Sequence, residues 1–379
     1  MAVGASLRGL LCAAMAMCST LWATADDSVR VMPRVDTTDP MVKRVVAALQ
    51  DTIKRWRLPL DADEDPDRRG APGNVAGIIR NWCSPTPTVV KHFPATIMSV
   101  ERGGETDYIA RVIISGTDDT GSAIPFGIIR TAFDVRDSLP VARVPLDEAT
   151  AEWETERVGR ITYVFPPEID FRKRRAERAN AFLLRTAAAL GVEPPDGVRY
   201  VITRDRDELC SVLGVEYLAV PPSAITYPFQ RTVIVGAHEE AYLHELVHIV
   251  LADHPAGNEV IREGIATLYG GSLGIPFADL VTAYARETPP LDVPTLTQLF
   301  TEGGRLQNDV YVMGAVICDA IRRRHGVGTL IDLLRTSSTA LTLQRCAELL
   351  TMEPSDTMVT LTDLLDETVQ SLRSEQPAR

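Results

Sequence analysis

His244-Glu245-Leu246-Val247-His248, set in the apolar run from Ala241 to Val250, is the stretch on which the reading of this chain turns. Leu243, Leu246, Val247, Ile249 and Val250 at close spacing mark a helix with a strongly apolar surface. In a helix, residues four apart stand above one another on one face, so both imidazoles can be aimed at a single ion. Glu245 is rotated by about 100° from His244, because a turn holds about 3.6 residues. It therefore reaches a water bound to the ion rather than the ion itself. A cation acidifies such a water, and the carboxylate takes its proton as the water attacks a carbonyl carbon. The competing reading is a chance pentapeptide on an ordinary core helix. It leaves three polar side chains in an apolar setting with nothing to offset their burial.

A catalytic zinc needs a third protein ligand, and two residues compete. Glu263 opens Glu263-Gly264-Ile265-Ala266 on the next expected helix, with fourteen residues between it and His248. The small Gly264 and Ala266 would let that helix approach the first closely. His254 lies six residues after His248, the spacing at which some zinc sites break the helix at a glycine and return a third histidine. The breaking position here is Leu251. A bulky residue is poorly suited to the positive φ of such a turn, so Glu263 is favoured and His254 is read as a loop residue at the rim.

HELVH followed by EGIATLYGG resembles the gluzincin branch of zinc metallopeptidases, particularly the broad peptidase MA set of bacterial proteins. Tyr311-Val312-Met313-Gly314, leading to Arg324-His325-Gly326, is similar to that family's Y-x-x-G helix and its closing turn. The likeness spans roughly residues 160–350, and HExxH and EGxA are its specific elements. It implies a hydrolase of peptide or amide bonds, one Zn2+ ion held by His244, His248 and Glu263, and Glu245 as general base. It further implies an oxyanion donor on the helix after the ligand helix, for which Tyr311 is the best candidate and Tyr242, Tyr269 and His325 are rivals. Thr267 stands where well-studied members carry an Asp that orients a metal-bound His. Support is therefore expected from Asp253 or a backbone carbonyl. Thr232-Val233-Ile234-Val235 is either a strand that pairs with an extended peptide substrate or an interior strand. Two rival functions remain: a non-catalytic metal-binding protein that retains the scaffold, and an envelope adaptor whose metal is structural and closed by four ligands.

Working outward, the chain of 379 residues is long enough for two folded units. Its 45% hydrophobic and 24% charged residues are ordinary for a globular protein. A net charge of -12 and the lack of a basic patch interleaved with aromatics argue against nucleic acid as a partner. In the first 25 residues Arg8 is the only charge, Leu10–Met17 is apolar, and Ala23-Thr24-Ala25 offers a small-x-small cleavage pattern. This reads as an export signal cut near Ala25, giving a periplasmic or extracellular protein without a membrane span; a short N-terminal anchor is the competitor. Cys83, Cys210, Cys318 and Cys346 remain after cleavage. They are either buried thiols or disulfides, with Cys318 and Cys346 the favoured pair.

Periodicity gives a helix from Met41 to Arg57 and strands at Thr96–Val100, Tyr108–Ser115, Ile124–Val135 and Arg160–Phe165, with a hairpin connection at Gly116–Ser122. A long helix followed by an antiparallel sheet resembles cone-shaped folds of the nuclear-transport-factor or cystatin type. Helices are then expected at Phe171–Leu190, Asp205–Leu213, Glu239–Ala252, Val260–Leu273, Phe277–Arg286, Tyr311–His325, Gly328–Leu334, Gln344–Leu350 and Ser355–Arg373, and strands at Val198–Thr203 and Thr232–Val235. The expected whole is an α+β protein: a signal over 1–25, a helix-plus-antiparallel-sheet domain over 26–165, and a mostly helical metallopeptidase-like domain with a small sheet over 166–379.

Overall fold

A computed structural model describes residues 29–56, 94–104, 107–117, 122–136, 139–143, 145–219, 221–228, 230–254, 258–289, 292–302, 309–336, 338–351 and 358–375. The expected signal segment and Cys83 lie outside them. The fold is mixed α and β and divides into two compact units, one of Met1–Glu152 with Asp205–Ser223, the other of Trp153–Arg204 with Ala224–Arg379. The first change of unit along the chain falls at 152/153, against the boundary expected at 165/166. The change from strand to helix periodicity near 166 falls inside the second unit, because Glu154–Val158 pairs with Ile161–Phe165 in that unit's sheet.

The first unit opens with β1 (Arg30–Val31) and α1 (Pro40–Trp56). Asp39 caps α1 by accepting from Met41 N at 2.7 Å and Val42 N at 3.2 Å, and Pro40 takes the first position, where its missing N–H costs nothing. Val42, Val45, Val46, Leu49 and Ile53 form its buried stripe. They pack on one face of a sheet built from β2 (Ala95–Arg102), β3 (Asp107–Thr117), β4 (Ala123–Arg136) and β5 (Leu139–Ala142), where Ile97, Tyr108, Ala110, Val112, Ile114, Ile129 and Phe133 are buried. The pairings β2–β3, β3–β4 and β4–β5 are antiparallel, and β3–β4 is the expected hairpin; the short β1 runs parallel to β2. A one-turn helix, α2 (Pro145–Ala149), follows β5.

In the second unit β6 (Glu154–Val158) and β7 (Ile161–Phe165) form a hairpin, α3 (Lys173–Leu190) crosses over, and β8 (Val198–Ile202) returns parallel to β7. The chain then contributes α4 (Arg206–Val212) and β9 (Val215–Leu218) to the first unit. There β9 pairs with β4 at Gly127–Ile129, beyond the stretch of β4 that β5 occupies. Back in the second unit, β10 (Ala224–Tyr227) is antiparallel to β11 (Thr232–Val235), which is parallel to β8. The sheet order is β10-β11-β8-β7-β6. Thr232–Val235 is therefore interior, paired on both sides with all four residues buried, which is the second of the two readings given for it; the edges of this sheet are β10 and β6. Strands β1, β5, β6, β9 and β10, and helices α2 and α8, are short and are absent from the sequence reading.

The rest is helical: α5 (Leu243–Val250), α6 (Glu259–Gly270), α7 (Phe277–Glu287), α8 (Leu296–Glu302), α9 (Asp309–His325), α10 (Val327–Leu334), α11 (Thr339–Leu350) and α12 (Met358–Glu375). Leu246, Val247, Ile249, Ile261, Ile265, Met313, Val316, Ile317 and Ile321 share one core with the inner strands. Helices α6 and α9 cross at a glycine pair, where a methyl on Gly264 would lie 2.5 Å from the Gly314 carbonyl carbon and one on Gly314 2.6 Å from the Val260 oxygen. Cys210, Cys318 and Cys346 are free and buried, so the favoured Cys318–Cys346 pairing is not formed and the buried-thiol alternative holds. Burial pushes the Cys346 thiol up to about 12, which keeps it protonated. Among the described residues no helix is long and apolar enough to cross a membrane.

Candidate metal centre

The helix carrying HELVH is shorter than its sequence suggests, starting at Leu243 rather than Glu239. Its lead-in is stitched to the sheet instead. Tyr163 of β7 donates its hydroxyl to the Glu240 carbonyl at 3.1 Å, and Tyr200 of β8 donates to the Glu239 carbonyl at 2.8 Å. The Tyr200 oxygen in turn accepts from Tyr242 N at 3.0 Å, satisfying a backbone donor that a helix start leaves open. Burial pushes both phenols up, so both stay protonated donors. Arg172 N donates to Glu240 Oε1 at 2.9 Å and Arg175 Nη1 to Glu239 Oε2 at 3.0 Å, so the start of α3 grips the same segment.

Helix α6 is capped by Asn258, whose Oδ1 accepts from Val260 N at 2.9 Å, and its far end rests on the start of α5. Gly270 makes that contact possible, since a methyl there would sit 2.7 Å from His244 N. Gly264, expected to face α5, faces Gly314 of α9 instead. The result brings Glu263 between the two histidines. His244 Nε2 lies 3.0 Å from Glu263 Oε2, His248 Nε2 lies 3.3 Å from the same oxygen, and the two Nε2 atoms are 3.3 Å apart. Both imidazoles are buried, and the donor atoms of all three residues fall within 4.8 Å of one another.

Tautomers follow from the surroundings. His244 Nδ1 is 2.7 Å from the Gly271 carbonyl, which can only accept, so Nδ1 carries the proton and Nε2 presents its lone pair to the cluster. Gly271 turns that carbonyl inward with φ +74, a conformation costly for a residue with a side chain. Burial opposes charge on His244, yet the hydrogen bond and charge of Glu263 outweigh it and hold the imidazole up at about 9. Burial likewise works to raise Glu263, but the two imidazoles overcome it and keep its carboxyl well below the usual range. Such a group, two nitrogens and one carboxylate oxygen aimed at one point, could hold a divalent metal ion. A proton on His244 stands in for that charge when no cation is bound.

Glu245 is half-buried, and its Oε2 accepts from Thr226 Oγ1 at 2.6 Å. Tyr311, in the first turn of α9, lies with its ring centroid 5.7 Å from that of His244. Burial, then the charges of Glu263, Glu245 and Glu259, push its phenol well up. The rivals part company. Tyr242 is near Tyr311, while Tyr269 faces Arg322, Cys318 and Asp319. His325 is about 21 Å from Tyr311 along the same helix and hydrogen-bonds the Leu349 carbonyl at 2.7 Å. His254 does not join the cluster. Asp253 is not an orienting group, since its exposed carboxylate sits 3.8 Å from Arg231; the backbone alternative, Gly271, is the one found. Thr267 is fully buried, and neither its hydroxyl nor His248 Nδ1 has a hydrogen-bond partner among the described residues. Thr226, Gly270 and Gly271 escaped the sequence reading; the Gly-Gly pair closing α6 was the available signal. The chain matches no family model and no curated protein.

Proposed function

We propose that this chain is an exported zinc-dependent peptidase of the gluzincin kind, in which His244, His248 and Glu263 hold one Zn2+ ion and Glu245 is the general base. The observation that carries the reading is the convergence of two imidazole nitrogens and a carboxylate oxygen within 4.8 Å, with a second carboxylate one residue along the same helix. Three protein donors rather than four, among the described residues, favour an open catalytic site over a closed structural one. When bound, the ion supplies positive charge that acidifies water and polarises a carbonyl.

The residues of the chain supply the rest. Glu245 takes the proton of the attacking water at its carboxylate and returns it to the leaving amine. Tyr311 is kept neutral by burial and its acidic neighbours. It is therefore a hydrogen-bond donor to the oxyanion that forms on the scissile carbonyl. Gly271 fixes the His244 ring through its carbonyl, and Tyr163 and Tyr200 hold the entry to α5 against the sheet. The substrate is a peptide or protein. Export rests on the pattern of residues 1–25, and the helix-on-sheet unit is read as a cone-shaped domain of the nuclear-transport-factor or cystatin type.

The test is Glu245→Gln in the full chain with fluorescein-labelled casein as substrate. Wild type should lose activity to a chelator and regain it with zinc. The variant should bind the metal as wild type does while turnover falls by roughly 100-fold or more. Unchanged turnover in the variant would rule out the mechanism.

A further inference from the structure

Strand β10 holds its register through β11 alone, with Thr226 opposite Val233. Its neighbours Ile225 and Tyr227 are buried, and the alternation of a strand sends Thr226 to the opposite face. There its Oγ1 lies 2.6 Å from Glu245 Oε2 and 3.3 Å from the Glu245 carbonyl. A hydroxyl has one proton, and the shorter contact to the carboxylate takes it. Among the described residues no other group hydrogen-bonds this carboxylate.

A glutamate on a helix has a broad terminal torsion, and a general base must be held within reach of the proton it abstracts. We infer that Thr226 is a positioning residue: its hydroxyl, delivered by the edge strand, pins Glu245 Oε2 and leaves Oε1 as the free acceptor. The helix sets where the Glu245 backbone lies, and the sheet sets where its carboxylate points. This inference rests on the peptidase reading, because it assigns the residue that aims that reading's base.

The test needs no substrate. The full chain is loaded with cobalt(II) as wild type, Thr226→Val, Thr226→Ser and Glu245→Gln, and each is titrated with acetohydroxamate while the visible absorption of the metal is followed. Acetohydroxamate binds metals through its oxygens, and its acidic proton needs an aimed carboxylate nearby to receive it. All four proteins should hold equal cobalt. Thr226→Val, which keeps the shape and removes the donor, should weaken acetohydroxamate about tenfold, a single charge-assisted hydrogen bond's worth. Thr226→Ser should stay within about twofold of wild type, and Glu245→Gln should lose more than Thr226→Val. If Thr226→Val binds as wild type while Glu245→Gln is weakened, this inference falls and the peptidase reading stands. If Thr226→Ser is as weak as Thr226→Val, the threonine acts by packing and the inference also falls. If Glu245→Gln binds as wild type, or no cobalt is held, both fall together.

Discussion

Two clusters of charge in the second unit look alike in composition and differ in what their atoms can do. At the end of α9, Asp319 accepts from Arg322 at 2.7 Å and Arg323 at 2.9 Å, while Glu367 of α12 accepts from Arg323 at 2.9 Å and Arg324 at 2.7 Å. Every carboxylate there has two guanidinium partners. At the junction of α5 and α6, the atoms that converge are His244 Nε2, His248 Nε2 and Glu263 Oε2. Arg262 reaches only the other oxygen of Glu263, at 3.5 Å. The first cluster closes on itself with redundant donors. The second brings together lone pairs that need one shared positive charge. Density of charge does not mark a site; convergence of acceptors does.

The sharpest way to break this comparison is to remove one carboxylate from each cluster. Glu263→Ala should lower zinc affinity by at least about 100-fold, exceeding the 10–100-fold typical of an outer-shell loss. Glu367→Ala should leave zinc binding as in wild type. Competition with a chromogenic chelator measures both. Equal affinities in the two variants would mean that the α5–α6 cluster holds no metal.

The two histidines and Glu245 were legible because helical spacing alone places them, and Glu263 because it needed only one more helix to return. What reaches across the fold was not legible. Thr226 touches Glu245 only because a four-residue edge strand lies beside α5, and Gly271 orients His244 only because Gly270 lets α6 end on α5. Gly264 was read as a small residue and assigned to the wrong neighbour, since composition says that a helix can be approached but not by which partner. The same limit hid the chain wiring. Strand β6 is the polar Glu154-Thr155-Glu156-Arg157-Val158 with one buried residue, and β9 earns its place in the first sheet from a partner about ninety residues earlier.

Acidity separates the clusters next, with a smaller effect. In the metal-free protein His244 is raised from its ordinary 6.5 to about 9. A raised folded-state value means its contribution is complete below 6.5 and is lost as pH climbs through 9. Glu263 is depressed below its ordinary 4.5, so its contribution is present above 4.5 and is lost on acidification. Metal-free stability should therefore be greatest between about pH 4.5 and 6.5 and decline toward pH 9, by on the order of 3 kcal/mol at most. Glu367 is also held low, against burial, by Arg324 and Arg323. Its partners stay charged throughout, so that cluster contributes no slope between pH 6 and 9. Melting temperatures of metal-free wild type and Glu263→Ala across this range make the check. A slope that survives in Glu263→Ala would assign it to some other group.

The smallest effect expected is the loss of Arg324. Its guanidinium is partly exposed and bonds Glu367 at 2.7 Å and the Leu350 carbonyl at 3.4 Å, but Arg323 still holds Glu367 from the other oxygen at 2.9 Å. Arg324→Ala should cost less than about 1 kcal/mol, the usual scale for a solvated ion pair, with metal affinity untouched. Denaturant unfolding measures the cost. A loss several times larger would show that the arginines act as one unit rather than as spares for one another, and the contrast with the metal centre would then lie in the kind of charge shared, not in redundancy. A cost that small beside an affinity loss of at least about 100-fold from Glu263→Ala is what redundancy predicts: removing one of two donors leaves an anion paired, whereas removing one of three ligands leaves a cation underheld.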